Sequence, residues 1–145
     1  MNHIVVIDAS LAIPWVVEES STPAAIALLI QWQQDTVRLL VPSLFALEAG
    51  SALLNHVRRG TLRPGSAPRA LLELLEIVTV QPDDHRLAAR ALEIAETLKL
   101  WKPHDSLYAA LAEHERCEFW TGDERFYQAA HGLFPWIHSA GQAHP

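Results

Sequence analysis

Cysteine is almost absent from this chain. The one thiol, Cys117, cannot close an internal disulfide, and it lies in no CxxC or Cys/His pattern, which excludes a conventional zinc site. A small buried core residue is the better account of it. Positive charge is also scarce: 11 Lys and Arg against 17 Asp and Glu leave a net charge of -6. A broad basic surface for nucleic acid is thereby excluded, because neutralising phosphates needs clustered Lys and Arg. Any such contact must be local or assisted by bound cations. Long apolar runs are missing too. The longest uncharged stretches carry Pro, Ser, Thr and Gln, and none approaches the roughly 20 apolar residues of a membrane span. The first apolar run, Ile4 to Ile7, has neither the basic flank nor the longer core of a signal peptide. A soluble cytoplasmic protein, with no membrane partner, is the expectation.

What is present is apolar residues, 50% of 145. That is enough for one compact domain and too short for two ordinary ones. We expect a single domain over residues 1–145, with about 139–145 as a flexible tail rich in Gly, His and Pro. No repeat or low-complexity segment interrupts it.

The β-branched run His3 to Asp8 predicts a buried strand, followed by a short helix carrying Leu11 and Trp15. Thr22 and Pro23 predict the start of a second helix through Gln34. Arg38 to Val41 predicts a strand stopped by Pro42. Ser43 is placed to cap a helix to about Arg59, which Gly60 would end in a left-handed conformation. A helix fits Pro68 to Glu76, a strand Ile77 to Val80, and a helix His85 to Lys99 capped by Asp83 or Asp84. A helix Asp105 to Arg116, a strand Glu118 to Thr121, a turn at Gly122 and a short helix Glu124 to Ala130 complete the pattern. Strands alternating with helices indicate α/β architecture, a parallel sheet covered on both faces. Such sheets bind ligands beyond the carboxyl ends of their strands. Asp8 and Asp123 lie at two such ends.

Four acids stand out against their surroundings. Histidines aside, Asp8 is the only charged residue between Met1 and Val17, Glu48 between Leu39 and Asn55, and Asp105 between Pro103 and Ala112. A carboxylate carried into apolar surroundings is expensive to desolvate unless it finds a cation or strong donors. Asp8, Asp105 and Asp123 could each cap the helix that follows. Capping cannot account for Glu48, which falls in the second turn of its helix, on a stripe with Leu44, Ser51, Ala52 and Asn55. A partly exposed helical Glu on a wet edge is the plain alternative there. Gathered together, four carboxylates would repel and raise one another's pKa unless a divalent cation supplied compensating charge. Oxygen-only donors point to Mg²⁺, with Mn²⁺ as a substitute, and such a cation suits phosphodiester hydrolysis by an activated water.

The segments VIDAS at Val6 to Ser10, PSLFALE ending at Glu48, PHDSLYAALAE from Pro103 and TGDERF from Thr121 resemble the PIN-domain family, and within it the VapC-type toxins of toxin–antitoxin pairs. The similarity runs in order and spacing over nearly the whole chain. It implies a three-layer α/β/α sandwich with a central parallel sheet and an acidic Mg²⁺ site. It also implies endoribonuclease activity on an RNA substrate, a small antitoxin partner and a homodimer. Carried over by position, Asp8 and Asp105 are the principal Mg²⁺ ligands, Glu48 and Asp123 complete the quartet, and Ser10 and Thr121 are supporting hydroxyls. Two positions depart: Ser51 stands where many members have Asn, and His104 where they often have Tyr or another residue. A solvent-exposed spectator is the plainer reading of His104.

Other features have bland explanations. Arg58, Arg59 and Arg63 suit a helix C-terminal dipole better than an RNA backbone. The eight His show no pair at metal-binding helical spacing, and most of the five Trp read as core, with Trp15 or Trp32 suiting a partner interface if exposed. Two further functions compete with the nuclease. A phosphatase with Asp8 as nucleophile usually needs a second acid at the position of Ser10. A catalytically silent binding module of the same fold would use its acids only for caps or a structural ion.

Overall fold

The computed structural model describes residues 3–142. Five strands among them form one sheet: β1 (Ile4–Ile7), β2 (Arg38–Pro42), β3 (Thr79–Gln81), β4 (Glu118–Thr121) and β5 (Ile137–Ser139). Every pairing is parallel, in the order β3-β2-β1-β4-β5. The helices are α1 (Ala9–Ala12), α2 (Thr22–Gln34), α3 (Leu44–Arg59), α4 (Ala67–Ile77), α5 (His85–Thr97), α6 (His104–Glu115) and α7 (Glu124–Ala130), with a 3-10 turn Ile13–Trp15 prolonging α1.

Parallel strands covered on both faces need unbroken apolar runs. Val6, Ile7, Leu40 and Val41 satisfy this with no exposed surface. On β4, neighbouring residues face opposite ways. Phe119 stacks on Tyr108 of α6, ring centroids 5.9 Å apart, while Trp120 meets Trp32 of α2 edge-on at 5.9 Å. Helices α6 and α2 therefore cover opposite faces, and the molecule is the three-layer α/β/α sandwich expected. The chain builds outward from β1 to β3, then returns to the other side of β1 for β4 and β5. Strand order reverses between β1 and β4, and ligands of open α/β sheets bind at such a reversal.

Local signals account for most boundaries. Gly60 ends α3 at φ +80°, and Asp84 caps α5 by accepting from the Arg86 amide at 2.8 Å. Ser43 precedes α3 but makes no cap bond, since its hydroxyl is hydrogen-bonded to Asp83. The strand expected at Ile77 to Val80 begins later, because Ile77 extends the buried face of α4 set by Ala70 and Leu74. The first residues of the expected tail, 139–142, are ordered. Ser139 closes β5 and Ala140–Gln142 forms a short 3-10 turn, leaving residues 143–145 of that expectation outside the described residues. Ser139 donates to Glu124 Oε2 at 2.6 Å, which ties this segment to the start of α7. No helix among the described residues is long and apolar enough to cross a membrane.

Ile137 is 1% exposed. Ile137→Ala is expected to lower unfolding free energy by about 2–5 kcal/mol, the usual cost of a large-to-small core change. A loss below about 0.5 kcal/mol in urea denaturation would mean that β5 is no part of the cooperative fold.

Candidate metal centre at the strand-order reversal

The register of β1 on β4 pairs Ile7 with Trp120, so the next residues, Asp8 and Thr121, leave the sheet side by side. Asp8 is 3% exposed and caps α1. Its Oδ1 accepts from the Leu11 amide at 3.0 Å and the Ser10 hydroxyl at 2.7 Å, and its Oδ2 accepts a short hydrogen bond from Thr121. Each hydroxyl is fixed in turn. Ser10 Oγ accepts from the Gly122 amide at 3.0 Å, and Thr121 Oγ1 from the Asp123 amide at 2.9 Å. Gly122 contributes more than the turn expected of it. A Cβ there would lie 2.7 Å from the Ser10 carbonyl oxygen, so only glycine lets the two strand exits close on each other. Nothing in the sequence beyond the glycine itself signals this contact.

Asp123 caps α7, its Oδ1 accepting from the Phe126 amide at 3.1 Å. Asp105 does not cap: it sits in the first turn of α6 behind Pro103 and makes no hydrogen bond or ion pair among the described residues. Glu48 reaches in from α3, with Oε1 accepting from the Tyr108 hydroxyl at 2.6 Å and Oε2 3.7 Å from His104 Nδ1. His104 is thus exposed, as the spectator reading expects, and lies beside an acid. Ser51 is exposed and has no bond to Glu48. The sequence reading missed Tyr108, whose only signal was its position three residues after Asp105, one turn along the same helix face.

Asp105 feels the charge of the other three acids. Burial, then the charges of Asp8, Asp123 and Glu48, push the Asp105 carboxyl up to about 7. Burial pushes Asp8 up to about 6, against the lowering effect of its donors. No group of three or more acidic, His or Cys side chains among the described residues is gathered tightly enough to hold an ion by protein atoms alone. Mg²⁺ does not require such a group, since it takes one or two carboxylates and completes its shell with water and substrate phosphate. A carboxylate has about four acceptor positions. Asp8 spends three on its donors, whereas Asp105 keeps them all and sits under the repulsion of the other three. The donor set therefore fits a hard divalent cation with Asp105 as its most available ligand.

A PIN-domain family model matches residues 5–132, most of the chain and all four acids. The chain belongs to the PIN-domain family. Among solved structures, PAE2754 from Pyrobaculum aerophilum shares 24% identity at a TM-score of 0.69, covering 96% of this chain and 85% of that one. VapC20 from Mycobacterium tuberculosis, a sarcin–ricin loop cleaving toxin, shares 17% at 0.63, covering 87% and 95%. At these identities both establish the shared fold. No curated protein matches the sequence.

Two predictions concern this PIN domain without ligand. Gly122→Ala is expected to separate the strand exits and cost about 1–3 kcal/mol, the usual range for overpacking, as a lowered thermal midpoint. The Asp105 carboxyl binds its proton more tightly folded, near 7, than unfolded, near the ordinary 3.8. Its contribution to stability is therefore full below about pH 4 and is lost as pH rises towards 7. In chelator, Asp105→Asn should gain stability relative to the parent between pH 5 and 8. A pH-independent difference would contradict the upward shift of the Asp105 carboxyl by burial and neighbouring charge.

Proposed function

We propose that this PIN domain is a Mg²⁺-dependent endoribonuclease, the toxin of a toxin–antitoxin pair, hydrolysing RNA phosphodiesters with an activated water and no covalent intermediate. The observation that carries the reading is Asp105, unpartnered and crowded by three other carboxylates at the strand-order reversal. Repulsion of that kind is what a divalent cation relieves. Asp8 and Asp105 are the proposed direct ligands, with Glu48 and Asp123 completing the set. When bound, the cation supplies positive charge to the phosphoryl oxygens and eases ionisation of the attacking water. The chain's own residues supply position. Ser10, Thr121 and the Leu11 amide hold the Asp8 carboxylate against rotation, and the α7 cap fixes one oxygen of Asp123, leaving the other to orient water. Against the phosphatase alternative, Asp8 is buried with both oxygens engaged, a poor state for a nucleophile.

RNA contact is proposed at the start of α6. Trp101 is fully exposed, unlike buried Trp32 and half-buried Trp15, which would have suited a partner surface only if exposed. Exposed Lys102 follows it, and Asp105 is four residues away. An aromatic face beside a cation suits an unstacked base of single-stranded RNA and its phosphate. The antitoxin, the homodimer and the cytoplasmic location belong to the same proposal and rest on the VapC resemblance.

The free protein is expected to cleave single-stranded RNA with Mg²⁺ and not with chelator. Asp8→Asn and Asp105→Asn should each reduce the rate about 100-fold or more, beyond the range usual for outer-shell changes. Equal cleavage by parent and variants would sink the carboxylate–metal mechanism, whereas Mg²⁺ binding without cleavage of any RNA tested would favour a binding module. Trp101→Ala should lower kcat/KM about 10-fold, the scale of one lost base stack, with kcat on a saturating substrate preserved. An unchanged kcat/KM removes Trp101 from the RNA path.

A further inference from the structure

We infer that Tyr108 is the positioning residue of the acidic centre: its buried hydroxyl holds Glu48 Oε1 and so fixes where the Glu48 carboxylate sits. The inference rests on the metal-centre reading above and assigns a role to a side chain outside the quartet.

Glu48 lies on α3 and Asp105 on α6, and like charges on separate helices drive the longer, more mobile side chain outward to water. Glu has three rotatable bonds and loses considerable rotamer freedom when held in one place. Something must hold it. Tyr108 OH donates to Glu48 Oε1 at 2.6 Å, a charge-assisted bond of the strong, short kind. Tyr108 itself has little freedom: it has no exposed surface, and its ring stacks on Phe119 at 5.9 Å, which in turn packs on Phe126 at 5.9 Å. The hydroxyl is thus placed by the sheet and by α7.

One helix therefore carries both parts of the geometry. Asp105 and Tyr108, three residues apart on α6, lie one turn from each other on one face. The spacing between Asp105 and the α3 carboxylate is then set by the rigid rise of α6 and not by the looser packing between helices. The phenol is the donor of this bond, because an ionised carboxylate oxygen has no proton to give. A buried tyrosine also needs an acceptor for its own sake. A neutral carbonyl would serve that need. The use of a part-exposed carboxylate that belongs to the acidic cluster is what gives the contact a function beyond packing.

The test is a double-variant cycle read by Mn²⁺ affinity, measured by calorimetry or electron paramagnetic resonance on the full chain. Tyr108→Phe keeps the stacked ring and removes only the hydroxyl. It is expected to weaken Mn²⁺ binding about 10- to 100-fold, the usual effect of losing a ligand-orienting partner. In a Glu48→Ala background the same change should alter affinity less than about twofold, because nothing remains for the hydroxyl to hold. An equal loss in both backgrounds would assign Tyr108 a general structural role and overturn the inference. So would a Tyr108→Phe protein that binds Mn²⁺ as the parent does. Failure of the parent to bind Mn²⁺ would instead overturn the metal-centre reading, and the positioning role with it.

Discussion

A carboxylate buried at the end of the central strand sets the terms for the rest of the site. Asp8 follows β1, with strands on both sides and helices on both faces, where leaving a charge unsatisfied costs several kcal/mol. It is tolerated because two hydroxyls and an amide converge on it. Those donors come from two strand exits, and they converge only because the β1–β4 register brings Asp8 beside Thr121 and because Gly122 has no side chain to hold the exits apart. The amides of Gly122 and Asp123 then lock the hydroxyls. A pairing register, one absent methyl group and two short polar side chains thus act as a single device.

Capping and a role in the centre are not alternatives here. Asp8 and Asp123 both cap helices and both raise the pKa of Asp105. The physics permits it because a cap takes up only part of a carboxylate's acceptor capacity: in Asp123 it engages one oxygen, and in Asp8 the donors use three of about four acceptor positions. Asp105 is the reverse case. Placed one residue inside its helix and behind a proline, it is spared for another use and bears the repulsion of the rest. Local structure explains two of the acids without removing them from the proposed site, and the acid it explains least, Asp105, is the one on which that proposal turns.

Much of this was legible in the sequence, for identifiable reasons. Ile-Val-Val-Ile and Leu-Leu-Val could only be strands buried on both faces, and Pro and Gly marked where the chain had to turn. The isolated acids were legible because charge in apolar sequence demands an explanation. What escaped notice lacked a local signal. Strand β5 is three residues long and owes its form to pairing with β4, not to its own pattern. Ile77 carries a strand-forming side chain, yet the face of α4 claims it. Tyr108 reads as one more core aromatic until the partner of its hydroxyl is seen, and that partner is 60 residues away.

The charge balance bears on how such a centre meets its substrate. An acidic protein that presents four of its 17 Asp and Glu to a polyanion repels it at long range, and the 11 Lys and Arg are too few to reverse that over a broad surface. In the proposed function the cation is therefore needed twice, once for the chemistry and once as the only strong attraction at the point where the phosphate must sit. Binding energy must otherwise come from contacts insensitive to the protein's sign. Base stacking is such a contact, since it depends on an exposed aromatic face and not on net charge. Under the proposed function, selectivity for unstacked RNA would follow from the same constraint, because a duplex offers an acidic protein phosphates that it repels and hides the bases that an exposed aromatic can hold.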